Sequence, residues 1–180
     1  MRLASTEGVG LVEREVFRLF RLRKRIRQFL KYRSGQDKSV LFIVGCQRSG
    51  TSMIHHLFRL DPDTVTYDEI SPLSSADPVE GLRLNPLEEV RARILNDRAP
   101  LVVCKPLVES QNLDVLLDLF PVTRAVWMYR DYRAVVLSNL KYFGPDTGHK
   151  DLAPIVAAEA SNWRAEKLAA ADRDIILDLY

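Results

Sequence analysis

The chain has 180 residues, of which 47% are hydrophobic and 28% are charged. These values are typical of one globular domain and exclude the collagen-like, low-complexity and disulfide-rich classes of protein. The formal net charge of +2 is too small to indicate that the surface as a whole binds nucleic acid, so no nucleic-acid partner is expected.

The first predicted element is a basic amphipathic helix over residues 11–33. Its apolar stripe consists of Leu19, Leu22, Ile26 and Phe29, and basic residues surround this stripe. A polar linker follows, so we divide the chain into an N-terminal helix with its linker, residues 1–39, and a main domain, residues 40–180. The stripe could pack on the domain or a partner, or it could contact an anionic membrane surface.

The main domain alternates short apolar runs with helical segments, which is typical of parallel strands joined by crossover helices. The predicted strands are Val40 to Val44, Thr64 to Tyr67, Leu101 to Cys104, Arg124 to Met128 and Asp174 to Leu179. The predicted helices are Thr51 to Leu60, Pro86 to Asn96, Asn112 to Phe120, Tyr132 to Lys141 and Leu152 to Ala171. Residues 71–85 lack either periodicity and predict a loop near the site. We therefore expect an α/β fold in three layers, with a central, largely parallel sheet flanked by helices.

The two cysteines, Cys46 and Cys104, lie in separate apolar runs, so we expect two buried thiols and a reducing compartment. No group of residues has the spacing of a metal site, and we expect no metal. The sequence has neither a run of about 18 apolar residues nor a signal peptide. These observations predict a cytoplasmic protein, which the N-terminal helix could bring to the periphery of a membrane.

The segment from Gly45 to Ser52 has the features of a phosphate-binding loop. It lies between a predicted strand and a predicted helix, where backbone N–H groups and the helix N-terminus can hold an anion. The spacing matches the loop of nucleotide triphosphatases, but Thr51 stands where the lysine that reaches the β- and γ-phosphates is needed. This difference argues against a kinase or NTPase, as does the lack of a convincing magnesium aspartate.

The sequence Gln47-Arg-Ser-Gly-Thr-Ser52 resembles the loop of the PAPS-dependent sulfotransferases, a family with a P-loop-type fold. Their donor is 3′-phosphoadenosine-5′-phosphosulfate. The resemblance implies that the 5′-phosphosulfate is bound by the loop residues Gln47, Arg48, Ser49, Gly50, Thr51 and Ser52. Arg48 would stabilise the charge that develops on the leaving phosphate. The alternative is a turn that only begins a helix, with Ser49 or Thr51 as its cap.

A second segment, Trp127 to Ser138, resembles the part of the family that binds the 3′-phosphate of the donor. The resemblance implies this role for Arg130 and for Ser138, eight positions further on. Arginine suits the role because its planar guanidinium makes paired, charge-assisted hydrogen bonds to phosphate. The alternative is that Arg130 forms a surface ion pair with Asp131 and Ser138 is merely exposed. We expect Arg133 to face solvent and Trp163 to serve in packing.

Sulfuryl transfer to a hydroxyl needs a base near the sulfur. The stretch from Arg48 to Glu69 resembles the tyrosylprotein branch of the family, and the resemblance implies that Glu69 is the base. Asp68 is the second candidate, and both acids could instead be solvated loop or capping residues. His55 and His56 are expected to be packing or surface residues. Lys105, at the end of a strand, stands where the family often has a basic residue near the transferred group, or it could be a solvent-exposed lysine.

The resemblance extends from about residue 40 to residue 180 and stops where members of the family usually continue. We therefore expect a domain that is incomplete at its C-terminus and that associates, for example as a homo-oligomer. The predicted function is PAPS-dependent sulfuryl transfer to a hydroxyl or amine of a carbohydrate, peptide tyrosine, lipid or small molecule. A non-catalytic module that binds PAPS or its product nucleotide is the alternative.

Overall fold

The structure is a computed structural model that describes residues 11–77 and 81–145. The predicted helix Leu152 to Ala171, with Trp163, and the predicted strand Asp174 to Leu179 lie outside the described residues.

The described chain alternates strands and helices. The helices are α1 (Leu11–Lys31), α2 (Thr51–Leu60), α3 (Leu87–Asn96), α4 (Leu113–Leu117) and α5 (Tyr132–Phe143). The strands are β1 (Ser39–Gly45), β2 (Thr64–Tyr67), β3 (Ser74–Asp77), β4 (Gly81–Leu84), β5 (Leu101–Cys104) and β6 (Thr123–Met128). A 3-10 helix, Leu107–Asn112, precedes α4.

Four strands form a parallel sheet in the order β2-β5-β1-β6, and helices flank it. The central strand β1 is buried almost throughout, because a parallel sheet covered by helices needs apolar side chains on both faces. On one face, Val40, Phe42 and Val44 join a core cluster to which α3 contributes Val90 and Ile94. The prediction of an α/β fold with a central parallel sheet is confirmed.

The connections place the carboxyl ends of β1 and β5 side by side at a change of winding direction. The chain leaves β1 through α2 and reaches β2, which lies beyond β5. It leaves β5 through α4 and reaches β6, which lies on the other side of β1. In open α/β sheets such a change opens a crevice at the carboxyl ends of the strands, and ligands bind there.

The prediction of a loop over residues 71–85 is wrong. Strands β3 and β4 pair antiparallel in this region, with Ser74 opposite Leu84. The hairpin is anchored by Leu73, which is buried, and by Leu84, which packs against the core cluster. Because the strands are short and β3 is polar, their alternation is too weak to detect in the sequence. Helix α4 is also shorter than predicted, since it begins one residue later, after the 3-10 helix, and ends three residues earlier, at Leu117.

Helix α1 contacts the main domain mainly through polar groups. The guanidinium of Arg27 donates two hydrogen bonds of 2.8 Å to the carboxylate of Asp63, and Lys31 Nζ lies 3.1 Å from the same group. The amide of Gln28, a buried residue, donates to the backbone carbonyls of Pro62 and Thr64. The apolar stripe predicted for this helix is exposed, and its contact with the described part of the domain is the Phe29 ring, which lies 4.1 Å from the guanidinium of Arg98.

Candidate functional site

The loop between β1 and α2 approaches the end of β6 closely. Gly45 has a φ of 127°, and a Cβ atom at this position would collide with the backbone carbonyl of Met128, its partner in the β1–β6 register. Arg48 and Gly50 also have positive φ values, 67° and 101°. Only a residue without a side chain fits at position 45, and the loop that follows is a tight turn stabilised by its neighbours.

Gly45→Ala should therefore lower the free energy of unfolding by about 3 kcal/mol or more, through the left-handed backbone and the steric collision. Gly35→Ala is the matched control, because Gly35 also has a positive φ, 76°, but a Cβ atom at this position would meet no other atom within 4 Å. It should cost only about 1 kcal/mol. Urea unfolding measures both variants, and equal losses would contradict the close approach of the loop to Met128.

The loop leaves backbone donors available at the start of α2. Gly50 is the N-cap residue, with no side-chain cap, and Thr51 and Ser52 are the first residues of the helix. Their N–H groups have no carbonyl partner within the helix. The Ser49 hydroxyl donates to the Cys46 carbonyl at 2.6 Å rather than accepting from the helix, so the alternative in which Ser49 or Thr51 caps the helix is not observed. Free amides at a helix N-terminus suit an anion.

The two motifs that lie about eighty residues apart in the sequence meet at this loop. Arg48 Nε donates to the Ser138 hydroxyl at 3.1 Å, and the Arg48 guanidinium lies 4.5 Å from the ring centre of Tyr142. Arg130 Nη1 donates to the backbone carbonyl of Arg48 at 3.0 Å. The structure therefore brings Arg48, Arg130 and Ser138 together at one surface.

The start of α5 explains how this surface is held. The Asp131 carboxylate caps the helix by accepting from the N–H groups of Arg133 and Ala134. Asp131 is thus a capping residue, and Arg130 contacts the phosphate loop, which is a different arrangement from the surface ion pair considered above. Arg133 is exposed and lies over its neighbour Tyr132, as predicted.

A second group of polar side chains lies where β2 and β5 end. Lys105 directly follows β5 and is only 6% exposed, which rules out the alternative of a solvent-exposed lysine. Its Nζ lies 2.8 Å from the Asp68 carboxylate and donates to the Ser52 hydroxyl at 3.1 Å. Ser52 belongs to the first turn of α2, so Lys105 connects Asp68, which follows β2, to the loop between β1 and α2.

Glu69 is half-buried beside this ion pair. One of its carboxylate oxygens, Oε1, is buried and has no hydrogen-bond partner in the described part of the chain. Burial raises the pKa of Glu69, and the negative charge of Asp68 adds to this effect, while Lys105 opposes it. The pKa of Asp68 is lowered, because hydrogen bonds from Lys105 and from the Glu69 N–H outweigh the opposing effect of burial. An unpaired carboxylate with a raised pKa is typical of a general base.

His55 is buried one turn into α2, and His56 is exposed, which agrees with the packing and surface roles expected for them. Burial lowers the pKa of His55, opposed by the charge of Asp68 and assisted by that of Lys105. Its Nε2 atom has no hydrogen-bond partner among the described residues. His55 is thus a neutral side chain near Asp68, and the sequence did not indicate that these two residues lie close together.

Ser110, on the 3-10 helix, is a site residue that sequence reasoning missed. Its hydroxyl accepts from the Gly45 N–H at 3.1 Å and donates to the Leu107 carbonyl at 2.8 Å. A cleft of about 370 Å³ lies between this helix and the loop, and its lining includes Gln47 and the exposed ring of Trp127. A single serine in a segment without periodicity carries no signal that could have identified it.

The cysteine predictions have different outcomes. Cys104 is buried, as expected, and burial raises the pKa of its thiol. Cys46 is exposed, so the prediction of a buried thiol is wrong for this residue. The reason is that β1 ends at Gly45, which places Cys46 in the loop rather than in the sheet.

Within residues 11–77 and 81–145, no three His, Cys, Asp or Glu side chains form a group able to hold a metal ion. No helix in the same residues is both long enough and apolar enough to cross a membrane. Comparison with known proteins found no matching family profile, no matching curated protein and no matching solved structure.

Proposed function

We propose that this chain is a sulfotransferase that moves a sulfuryl group from PAPS to a hydroxyl or amine of an acceptor molecule. The proposal rests on one observation above the others. A glycine-rich loop that lacks the lysine of triphosphatases meets Arg130 and Ser138 on one side and a buried lysine with two carboxylates on the other. PAPS carries a 3′-phosphate and a 5′-phosphosulfate on its ribose, so one group of residues can bind the 3′-phosphate and the other can act at the phosphosulfate.

The first side suits the 3′-phosphate of the donor. Arg130 contacts the loop through one nitrogen of its guanidinium, and a planar guanidinium has five N–H donors, so others remain for a phosphate. The Ser138 hydroxyl accepts from Arg48 and can donate its own proton to a phosphate oxygen at the same time. The 3′-phosphate distinguishes PAPS from ATP, which is why this cluster favours a sulfotransferase over a kinase.

The second side suits the transfer itself. The acceptor oxygen attacks sulfur, the bond between sulfur and the 5′-phosphate oxygen breaks, and adenosine 3′,5′-bisphosphate leaves. Glu69 takes the acceptor proton, and Lys105, held beside Ser52 at the phosphate loop, stabilises the charge that moves to the departing oxygen. Arg48 contributes positive charge from the other side of the loop, although its side chain is turned towards α5.

The geometry favours Glu69 over Asp68 as the base. Asp68 forms an ion pair with Lys105 and has a lowered pKa, which makes it a weaker proton acceptor. Glu69 has an unpartnered oxygen and a raised pKa. Asp68 instead holds Lys105 beside Ser52 through the ion pair. His55, with its lowered pKa, is the third group in this region that could exchange a proton.

The acceptor is a hydroxyl-bearing molecule, and carbohydrates, peptide tyrosines, lipids and small molecules all satisfy the chemistry. We propose a cytoplasmic location, in keeping with the exposed thiol of Cys46 and the buried thiol of Cys104.

The test supplies the full chain with PAPS carrying labelled sulfate and a cell extract as the source of acceptors, followed by mass spectrometry of the labelled products. We expect a sulfated product that depends on the chain and forms about 100-fold or more slowly with Glu69→Gln. If PAPS binds but no acceptor class is labelled, the chain is a nucleotide-binding module and the proposal of catalysis fails.

A further inference from the structure

Helix α1 carries an apolar face that the described part of the protein leaves uncovered. The face, called the outer stripe here, consists of Val16, Leu19, Leu22, Ile26, Phe29 and Leu30, whose exposure ranges from 50% to 78%. Six large apolar side chains on one helix form a larger contiguous patch than single exposed apolar residues, which are normal on protein surfaces. Such a patch indicates an interaction surface.

The opposite side of α1 is occupied by the domain. Gln28 is buried against the Pro62 and Thr64 carbonyls, and Arg27 and Lys31 bind Asp63. Because successive residues of a helix are about 100° apart, Gln28 and Ile26 lie about 200° apart around the axis. The outer stripe therefore points away from the domain, except that the edge residue Phe29 also contacts Arg98, while the contacts on the other side hold the helix in place.

The charge of α1 is strongly positive, and its basic residues lie both on the side that contacts the domain and along the borders of the outer stripe. The helix has eight basic residues and two acidic ones, a formal charge of +6. Since the whole chain carries +2, all the other residues together carry −4. Arg23 and Arg25 are exposed, border the stripe on its two sides, and have no hydrogen-bond or ion-pair partner in the described part of the chain. Their charge is available to an outside partner.

We infer that the outer stripe lies in the interface of a membrane with anionic lipids, with its apolar side chains among the acyl chains and Arg23 and Arg25 at the headgroups. An apolar face bordered by unpaired cations is the pattern of helices that lie on anionic bilayers. A second copy of the chain is disfavoured as the occupant, because packing two such helices together would bring +6 against +6. The inference does not depend on the proposed sulfuryl transfer.

Co-sedimentation of the full chain with phosphatidylcholine vesicles, with and without phosphatidylserine, tests the inference. We expect binding only when phosphatidylserine is present, and weaker binding as salt is raised. Arg23→Glu and Arg25→Glu should each weaken binding about 10-fold or more. Ile26→Asp should also weaken it about 10-fold or more, through the lost apolar burial.

Two matched controls lie on other helices. Arg91→Glu changes the same charge on an exposed position of α3, and Val115→Asp makes the apolar-to-acid change at a 47% exposed position of α4. Both should change vesicle binding less than about twofold. Circular dichroism checks that each variant keeps its helix content. Absence of binding to phosphatidylserine vesicles would overturn the inference, as would a dimer in sedimentation that Ile26→Asp dissociates. Equal effects of Arg25→Glu and Arg91→Glu would also overturn it.

Discussion

Replacing Glu69 by glutamine should reduce the rate of sulfuryl transfer by about 100- to 10,000-fold, the usual contribution of a general base. Glutamine keeps the shape of the side chain but cannot take the acceptor proton. The binding of adenosine 3′,5′-bisphosphate should stay within about threefold of the unsubstituted chain. The backbone of Glu69 is held by hydrogen bonds with the side chains of Asp68 and Ser74, and not by the loop between β1 and α2, so the substitution should leave that loop in place. Steady-state kinetics with PAPS and a calorimetric titration measure the two quantities.

The pH dependence of kcat/KM distinguishes Glu69 from Asp68 and His55 as the base. The base must be ionised, so kcat/KM should rise with pH as Glu69 loses its proton. Because burial raises the pKa of Glu69, this rise should lie above the ordinary value of 4.5. The rise should disappear in Glu69→Gln and persist in the controls Asp68→Asn and His55→Gln. If His55→Gln removes it and Glu69→Gln does not, the base is the histidine.

Replacing Arg130 by alanine should weaken the binding of adenosine 3′,5′-bisphosphate by about 10- to 100-fold, the effect of losing a charge-assisted hydrogen bond to phosphate. Adenosine 5′-monophosphate, which has a hydroxyl at the 3′ position, should lose less than about threefold. The small remaining loss reflects the hydrogen bond from Arg130 to the Arg48 carbonyl, which holds the loop. Isothermal titration calorimetry measures both nucleotides.

Arg133→Ala is the matched control for Arg130→Ala, because Arg133 is an exposed arginine three residues further on that lies over Tyr132. It should leave the affinity for both nucleotides unchanged. Equal losses for the 3′-phosphorylated and 3′-hydroxyl nucleotides in Arg130→Ala would mean that this arginine only supports the loop, and the assignment of the 3′-phosphate site would be wrong.

The strands and helices around the phosphate loop could be predicted because each has a strong local pattern. β1 is a continuous apolar run, as a strand buried on both faces must be, and α2 begins directly after a glycine that adopts a positive φ. The β3–β4 hairpin could not be predicted, because its strands have four residues each and it is held by distant contacts: the packing of Leu73 and Leu84 on the core, and the hydrogen bonds of β4 to the buried Glu109. Its stability comes from tertiary packing that no local pattern records.

In the candidate site, too, some features could be predicted from the sequence and others could not. Arg48, Arg130 and Ser138 were identified from motifs and lie together in the structure. The burial of Lys105 could not be predicted, because it depends on β5 lying next to β2, whose end supplies Asp68, and this pairing of distant segments has no local signal. The exposure of Cys46 follows from its position in the loop after β1, and the expectation of a buried thiol relied on the apolar run before it rather than on the predicted loop that contains it.

A calorimetric titration of the full chain with adenosine 3′,5′-bisphosphate, alongside ATP without metal, tests the central claim most directly. The arrangement of the loop, Arg48, Arg130 and Ser138 predicts saturable binding of the bisphosphate and much weaker binding of ATP, because ATP has no 3′-phosphate. Failure of the bisphosphate to bind, or binding of ATP with equal or greater affinity, would contradict the proposal that this chain is a PAPS-dependent sulfotransferase.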